Sequence, residues 1–271
     1  MIYLDNAATS FPKPEAVFAA VDRYLRTQAG SPGRSGHELS IRAARVVFDA
    51  RAAVARLVGL ADPLAVTFAK NATEALNLAL FGVLSPGDHV ITSVMEHNSV
   101  LRPLRELERR GVEVTRLACA QDGTLDPDNV ARSVRPATRL VVLGHASNVV
   151  GTLCPIADVG RIAREHDLLF CVDAAQTAGA VPIDLDSMRI DLLAFTGHKS
   201  LLGPQGTGGL CVGPRARGRV RPLVFGGTGS ASDSDAQPDF LPDAFEAGTL
   251  NGVGLAGLAA GIAWIESSGV A

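Results

Sequence analysis

Short apolar runs alternate with helical patterns along most of this 271-residue chain, and this alternation is the strongest constraint on its fold. The runs that read as strands are residues 64–68, 89–92, 112–117, 140–143, 168–172, 192–195 and 209–212. Helical patterns occupy residues 14–29, 39–58, 73–83, 99–110, 127–134, 155–166 and 253–266. Strands that take turns with helices form a mostly parallel, doubly wound sheet with helices on both faces. The sequence therefore predicts an α/β fold.

Two chemically distinctive side chains follow predicted strands, where ligands bind in sheets of this kind. Asp173 ends one apolar run, and Lys199 comes shortly after another, in the segment Thr-Gly-His-Lys-Ser. A lysine held among glycine, histidine and hydroxyl groups is a candidate Schiff-base lysine, although a lone lysine there is more often a solvated loop residue. Pyridoxal 5'-phosphate needs a carboxylate against its pyridinium nitrogen, and Asp173 is placed to supply it. The pair therefore favours pyridoxal phosphate as the cofactor.

Other strand ends carry polar groups that suit the same cofactor. Residues 71–73 open a helix whose free N–H groups and positive dipole end would hold a phosphate, and an ordinary helix cap is the alternative. His97 could stack on a cofactor ring or move protons, or could simply cap the next helix. Asn148 offers an amide to a cofactor hydroxyl or a substrate, and turn formation explains it equally well.

Other ligand classes fit the sequence poorly. The glycine-rich stretch 203–209 precedes a strand rather than a helix, so it does not match a dinucleotide-binding motif. The lysine segment does not match a Walker motif, because that motif has no histidine at the position of His198. The six histidines include no HxxxH or HExxH spacing, so we predict no metal. The net charge of -3 gives no basic surface for nucleic acid or an anionic membrane. A small, soluble ligand is the expectation.

The amino terminus and the cysteines indicate the cellular compartment. Residues 1–6 lack both a basic start and a long apolar stretch, so no signal peptide is expected and the protein is predicted to be cytoplasmic. Residues 247–265 are uncharged but rich in glycine, which suits a packed core helix better than a membrane span. Four cysteines are scattered without a CxxC pair, three of them in apolar strand-like runs, and are interpreted as reduced core residues.

Several motifs, in order and spacing, resemble the class V pyridoxal-phosphate-dependent aminotransferases, and within them the cysteine desulfurases and selenocysteine lyases. The matching stretches are residues 3–9, 71–75, 96–98, 147–148, 173–176, 196–199 and 203–206. The resemblance runs from the first residue to about residue 263. It implies the fold of the type I pyridoxal-phosphate transferases.

The resemblance also implies roles for the residues around the cofactor ring. Lys199 would hold the cofactor's aldehyde and later take the proton from the substrate's Cα, while Asp173 would keep the pyridine nitrogen protonated. Gln176 would bond the ring hydroxyl, with Asn148 nearby, and His97 would stack on the ring. Lys199 and His97 are thus the predicted catalytic residues.

For the cofactor's phosphate, the resemblance implies binding by Thr73, Thr196 and His198, assisted by the backbone of Ala72. Thr228, in a glycine-rich turn, would reach the phosphate of a neighbouring subunit, which implies a homodimer. A flexible loop is the alternative interpretation of that turn.

The sequence departs from the family at its carboxyl end. Cysteine desulfurases continue into a small domain that carries a nucleophilic cysteine and a substrate-binding arginine, and we expect that domain to be largely absent here. The predicted division is an N-terminal segment at 1–20 that packs with the small domain, a large cofactor-binding domain at 21–266, and a truncated link at 267–271.

The activity expected from the resemblance is conversion of L-cysteine, or a similar small amino acid, to L-alanine, with sulfur transfer to an acceptor thiol or a sulfur-acceptor protein. Two alternatives remain. One is a selenocysteine lyase, β-lyase or aminotransferase that needs no catalytic cysteine. The other is a truncated, non-catalytic protein that binds the cofactor or a partner.

Overall fold

A seven-stranded sheet forms the centre of the computed structural model, which describes residues 2–32, 36–231 and 233–269. Its strands are β1 (Val66–Ala69), β2 (His89–Ser93), β3 (Glu113–Leu117), β4 (Thr138–Gly144), β5 (Leu169–Asp173), β6 (Leu192–Thr196) and β7 (Gly208–Val212). Their order across the sheet is β1-β7-β6-β5-β4-β2-β3. Only β7 runs against its neighbours, β1 and β6. The predicted, mostly parallel α/β sheet is confirmed.

The reversed strand was not predicted, and its cause is local. Consecutive strands that pair in parallel are joined by the longer connections 94–112, 145–168 and 174–191, whereas only residues 197–207 connect β6 to β7. A parallel pair needs a crossover of about a dozen residues or more, and a shorter connection returns the chain antiparallel to the strand it has just left. The lysine segment lies in this connection, so the reversal helps to place it at the carboxyl end of β6.

Seven α-helices surround the sheet in the described ranges, close to where the sequence predicts them. They are α1 (Glu15–Thr27), α2 (Glu38–Leu57), α3 (Ala72–Val83), α4 (Asn98–Arg109), α5 (Pro127–Arg132), α6 (Ile156–Glu165) and α7 (Gly252–Ser268). Residue 1, and the last two residues of the predicted link at 267–271, lie outside the described residues.

Apolar side chains cover both faces of the sheet and pack against different helices. On one face, Val141 and Leu143 of β4 join a cluster that includes residues of α2, α6 and α7. On the other, Leu140 and Val142 join residues of α3 and α4. Strands that are buried on both faces read as continuous apolar runs, which explains why the runs were visible in the sequence.

Helix α7 lies close against the segment that follows Lys199. A Cβ added at Gly261 would overlap the carbonyl oxygen of Leu201, and one added at Gly257 would stand 2.7 Å from Pro204. These glycines therefore allow a backbone approach that a side chain would prevent. In the part of the chain that the structure describes, no helix combines the length and apolar character needed to cross a membrane.

Candidate active site

An open cavity lies at the carboxyl ends of the parallel strands. It brings together nine of the ten predicted site residues: Ala72, Thr73, His97, Asn148, Asp173, Gln176, Thr196, His198 and Lys199. The parallel order of β2, β4, β5 and β6 explains this convergence, because their carboxyl ends share one edge of the sheet.

Asp173 ends β5 as a buried carboxylate with little compensation. Its Oδ1 accepts a hydrogen bond from the Ala175 N–H at 2.9 Å. Burial raises the pKa of Asp173, against the opposing effects of that hydrogen bond and of the His97 and Lys199 charges. No arginine or lysine forms an ion pair with this carboxylate among the described residues. The site therefore favours a ligand that brings a positively charged N–H group.

Lys199 lies on the same cavity wall and is partly buried. Burial lowers the pKa of its ammonium, and Asp173 opposes that shift. Its Nζ makes no hydrogen bond or ion pair within the described ranges. A lysine with a lowered pKa and an unengaged amine is suited to nucleophilic chemistry with a carbonyl.

The first turn of α3 presents unpaired N–H groups to the cavity. Asn71 caps the helix by accepting the Glu74 N–H at 3.0 Å, and the Asn71 carbonyl accepts the Ala75 N–H. The N–H groups of Ala72 and Thr73, at the positive end of the helix dipole, remain available to an anion.

A hydroxyl that sequence reasoning missed connects two of the predicted residues. Ser99 Oγ lies 2.8 Å from Thr73 Oγ1 and 2.7 Å from His97 Nδ1. His97 also caps α4, because its Nδ1 accepts the Ser99 N–H at 3.1 Å. With Nδ1 acting as an acceptor, a neutral His97 carries its proton on Nε2. The cap and the proposed ring contact are thus compatible.

The remaining cavity residues differ in how firmly they are held. Thr196 is buried, and Gln176 donates from Nε2 to the Ala7 carbonyl at 3.1 Å. The Nδ1 of His198 is buried without a hydrogen-bond partner, and burial, followed by the Lys199 and Lys13 charges, lowers the pKa of this histidine.

Thr228 lies away from this cavity. It lines a separate hollow with Arg51 and Glu246, and its Oγ1 is 3.3 Å from Ser230 Oγ. One copy of the chain therefore does not bring Thr228 to Lys199, and its predicted role requires a second copy.

The residues in the cavity fit pyridoxal phosphate. The underpaired carboxylate of Asp173 matches a pyridinium N–H, the unengaged amine of Lys199 matches an aldehyde, and the open N–H groups of Ala72 and Thr73 match a phosphate. Within the described ranges, His, Cys, Asp and Glu side chains form no group of three or more that could hold a metal ion.

All four cysteines contact the hydrophobic core, as predicted, but two of them, Cys119 and Cys154, are only partly buried there. Cys171 and Cys211 are buried in β5 and β7, but Cys119 and Cys154 lie in connections and line the cavity. Burial raises the pKa of Cys119, and it raises the pKa of Cys154 to about 12. These two thiols face the site but are poorly suited to form thiolates.

Glu96 is a second buried carboxylate on the cavity wall, and its role was not predicted. Its Oε1 accepts the Ser93 hydroxyl at 2.6 Å, and its Oε2 accepts the Gly144 N–H at 2.7 Å. It thereby joins the ends of β2 and β4. Burial raises the pKa of Glu96 to about 7, and the nearby Asp173 adds to that shift.

Replacing Glu96 by glutamine is expected to change how stability depends on pH. An acid with a raised pKa in the folded state is stabilising at low pH, and that contribution is lost as pH rises through the folded pKa. Because the pKa rises to about 7, the free energy of unfolding of the wild-type protein should fall by about 3 kcal/mol relative to Glu96→Gln between about pH 4.5 and 8. Urea unfolding at several pH values measures this difference. Glu15→Gln, at an exposed position, is the control. If the free energy of unfolding depends on pH equally in wild type and in Glu96→Gln, the prediction is contradicted.

Comparison with known proteins gives a consistent picture. The family model for class-V aminotransferases matches residues 2–271. A probable cysteine desulfurase from Methanothermobacter thermautotrophicus is 36% identical over 99% of this chain and 68% of that protein. The cysteine desulfurase IscS of Pseudomonas putida W619 is 40% identical over 83% of this chain. That alignment covers 57% of IscS, so the chain spans only about three fifths of such relatives.

Solved structures agree with the sequence relatives. The apo cysteine desulfurase of Thermococcus onnurineus NA1 superposes with a TM-score of 0.92 at 34% identity, over 99% of this chain and 68% of that one. SspA in complex with cysteine gives a TM-score of 0.86 at 31% identity, over 97% of this chain and 72% of that one.

Proposed function

The chain belongs to the class-V aminotransferase family, and on that premise we propose that it is a pyridoxal-phosphate-dependent enzyme of the cysteine desulfurase type. In the proposed reaction the Cβ–S bond of L-cysteine breaks, L-alanine is released, and an acceptor thiol takes the sulfur atom to become a persulfide. The observation that carries this proposal is the convergence of Lys199 and Asp173 in one cavity, each without a strong partner.

When bound, pyridoxal phosphate supplies an electron sink for the charge that develops at the substrate's Cα. Lys199 would hold the cofactor through Nζ and, once the substrate amine replaces it, receive the Cα proton. Asp173 would keep a proton on the pyridine nitrogen. His97 would lie over the ring, oriented through Ser99.

The phosphate would lie at the start of α3, bound by the N–H groups of Ala72 and Thr73 and by Thr196 and His198. Gln176 and Asn148 would bind the ring hydroxyl, as both line the same cavity. A homodimer with Thr228 completing the neighbouring site, a cytoplasmic location and the domain division at residues 20 and 266 are further proposals.

The cavity thiols favour a second candidate, cleavage of L-cysteine or a selenium analogue by β-elimination. Because their pKa values are raised, Cys119 and Cys154 are poor acceptors of sulfur. Desulfuration therefore needs another thiol, whereas elimination releases sulfide, pyruvate and ammonia without one. Alanine and pyruvate thus distinguish the two reactions.

The proposed function is tested by loading the purified chain with pyridoxal phosphate. We expect a yellow protein, borohydride fixation of the cofactor at Lys199 on peptide mapping, and alanine formation from L-cysteine with dithiothreitol as acceptor.

Asp173→Asn should reduce turnover at least about 100-fold. In cofactor-free protein it should also lower the pKa of Lys199 further, because Asp173 raises it, and amine labelling against pH measures this. Asp158→Asn, an exposed acid, is the control. A colourless protein that fixes no cofactor would refute the proposal.

A further inference from the structure

The chain contains only three lysines, Lys13, Lys70 and Lys199, and Lys13 contacts the main chain of the segment that carries Lys199. Lys70 is exposed, with 81% of its side chain accessible and a 3.8 Å contact to Glu74. Lys13 is partly buried, and burial lowers the pKa of its ammonium. Because 22 of the 25 lysines and arginines are arginines, a partly buried lysine that contacts the residue before Lys199 calls for an explanation.

Lys13 belongs to a compact amino-terminal segment, residues 3–13, which we term the strap. The Tyr3 hydroxyl donates to the Thr9 carbonyl at 2.9 Å, and the Phe11 N–H donates to Asn6 Oδ1 at 3.1 Å. The rings of Tyr3 and Phe11 pack edge to face with centroids 5.6 Å apart. These contacts give the strap a defined shape of its own.

The strap donates a cluster of hydrogen bonds to the main chain of the catalytic segment. The His198 carbonyl is approached by the Ser10 N–H at 3.0 Å, by Thr9 Oγ1 at 3.1 Å and by Lys13 Nζ at 2.9 Å. Ser10 Oγ lies 2.7 Å from the Lys199 carbonyl. Together these contacts fix the two peptide groups on either side of the Lys199 Cα.

The hydrogen atoms of Lys13 and Ser10 determine which group donates and which accepts in this network. Lys13 Nζ lies 2.6 Å from Ser10 Oγ, and an ammonium can only donate. Ser10 therefore accepts from Lys13 and gives its single hydroxyl hydrogen to one oxygen. The Lys199 carbonyl, at 2.7 Å, is closer than the His198 carbonyl at 3.1 Å. The resulting relay runs from the Lys13 ammonium through the Ser10 hydroxyl to the Lys199 carbonyl.

The relay completes the turn that carries the catalytic lysine. The Lys199 carbonyl also accepts the Leu202 N–H at 2.9 Å, so its two lone pairs are both used. Leu202 has a φ of 59°, in the left-handed region that non-glycine residues rarely adopt. A turn that includes such a residue persists when surrounding contacts hold it.

We propose that the strap is a positioning device for Lys199, in which Lys13 acts through Ser10 to fix the turn at residues 199–202 and hold the Lys199 amine at the cavity. Lys13 does not line the cavity, so its role in this proposal is that of a positioning residue. The inference rests on the proposed function for the role of Lys199, but the hydrogen-bond relay can be tested without the cofactor.

Hydrogen exchange in cofactor-free protein is the primary test. Lys13→Met keeps the apolar stem and removes the donor, and we expect the amides of the turn, including the Leu202 N–H, to exchange about 10- to 100-fold faster. Lys13→Arg keeps charge and donors and should restore most of the protection. Lys70→Met is the matched control and should leave the turn unchanged. Unchanged exchange in Lys13→Met would overturn the proposal.

A second variant and a second readout keep the test decisive. If Lys13→Met does not fold, Ser10→Ala breaks the same relay, and unchanged exchange there overturns the proposal equally. Borohydride fixation of pyridoxal phosphate at Lys199 should be slower in either variant than in Lys70→Met. Faster exchange in a protein that takes up no cofactor would support the strap while refuting the proposed function, so the two failures are distinguishable.

Discussion

Replacing Lys199 by arginine is expected to abolish fixation of pyridoxal phosphate and to reduce turnover of L-cysteine at least about 1,000-fold. Arginine keeps the positive charge beside Asp173, but its guanidinium stays protonated and neither attacks an aldehyde nor accepts the Cα proton. Peptide mapping after borohydride treatment, with alanine measured over time, provides both readouts.

Lys70→Arg is the matched control, because it makes the same exchange at an exposed lysine outside the cavity. Wild-type behaviour is expected for it. Because Lys13 Nζ lies 2.9 Å from the His198 carbonyl, the maps must also show whether label moves to Lys13 when Lys199 is lost. Substantial turnover by Lys199→Arg would show that Lys199 is not the essential base, whatever its role in binding.

The strands and the convergence of the site were predictable because both follow from local pattern. Strands that are buried on both faces appear as unbroken apolar runs, and their carboxyl ends share one edge of a parallel sheet. Asp173 and Lys199 could therefore be placed together without coordinates. The reversed strand β7 was missed, since apolar content does not record strand direction.

The contacts that orient the site were not predictable, because they join residues far apart in the chain. Ser99 lies 26 residues from Thr73, and Gly144 lies 48 residues from Glu96. Ser10 is 189 residues from Lys199. A serine, a glutamate and a serine in these settings resemble ordinary cap and surface residues, and only the fold reveals what they bind. The cysteines show the same limit: Cys119 and Cys154 pack against the core, and only the fold reveals that they also line the cavity.

The largest effect on stability is expected at a buried ion pair remote from the cavity. Arg51 of α2 and Glu246 form a bidentate ion pair, and both side chains are about 5% exposed. Arg51 also donates to the Val66 carbonyl and lies 4.8 Å over the ring of Phe68, whose N–H donates to Glu246. The pair thus joins α2, β1 and the loop before α7, and it lines the hollow that contains Thr228.

Arg51→Met is expected to lower the free energy of unfolding by about 3–5 kcal/mol, because it leaves the Glu246 carboxylate buried without its counter-ion. That is a large fraction of the stability of a typical domain. Arg56→Met is the matched control. Arg56 lies in α2, like Arg51, but its ion pair with Glu266 is exposed. We expect its loss to lower the free energy of unfolding by less than about 1 kcal/mol. Urea denaturation measures both.

The pH dependence separates the lost counter-ion from lost packing. Burial raises the pKa of Glu246 and Arg51 opposes that shift, so Arg51→Met should raise this pKa further. An acid with a raised folded pKa loses its stabilising contribution as pH rises, so the variant should be more damaged at about pH 8 than at about pH 5. Adding Glu246→Gln removes the charge but keeps an acceptor for the Phe68 N–H, and should recover part of the stability and remove the excess pH dependence. If the loss of unfolding free energy in Arg51→Met is equal at both pH values and is unaffected by Glu246→Gln, Arg51 stabilises the fold through packing alone.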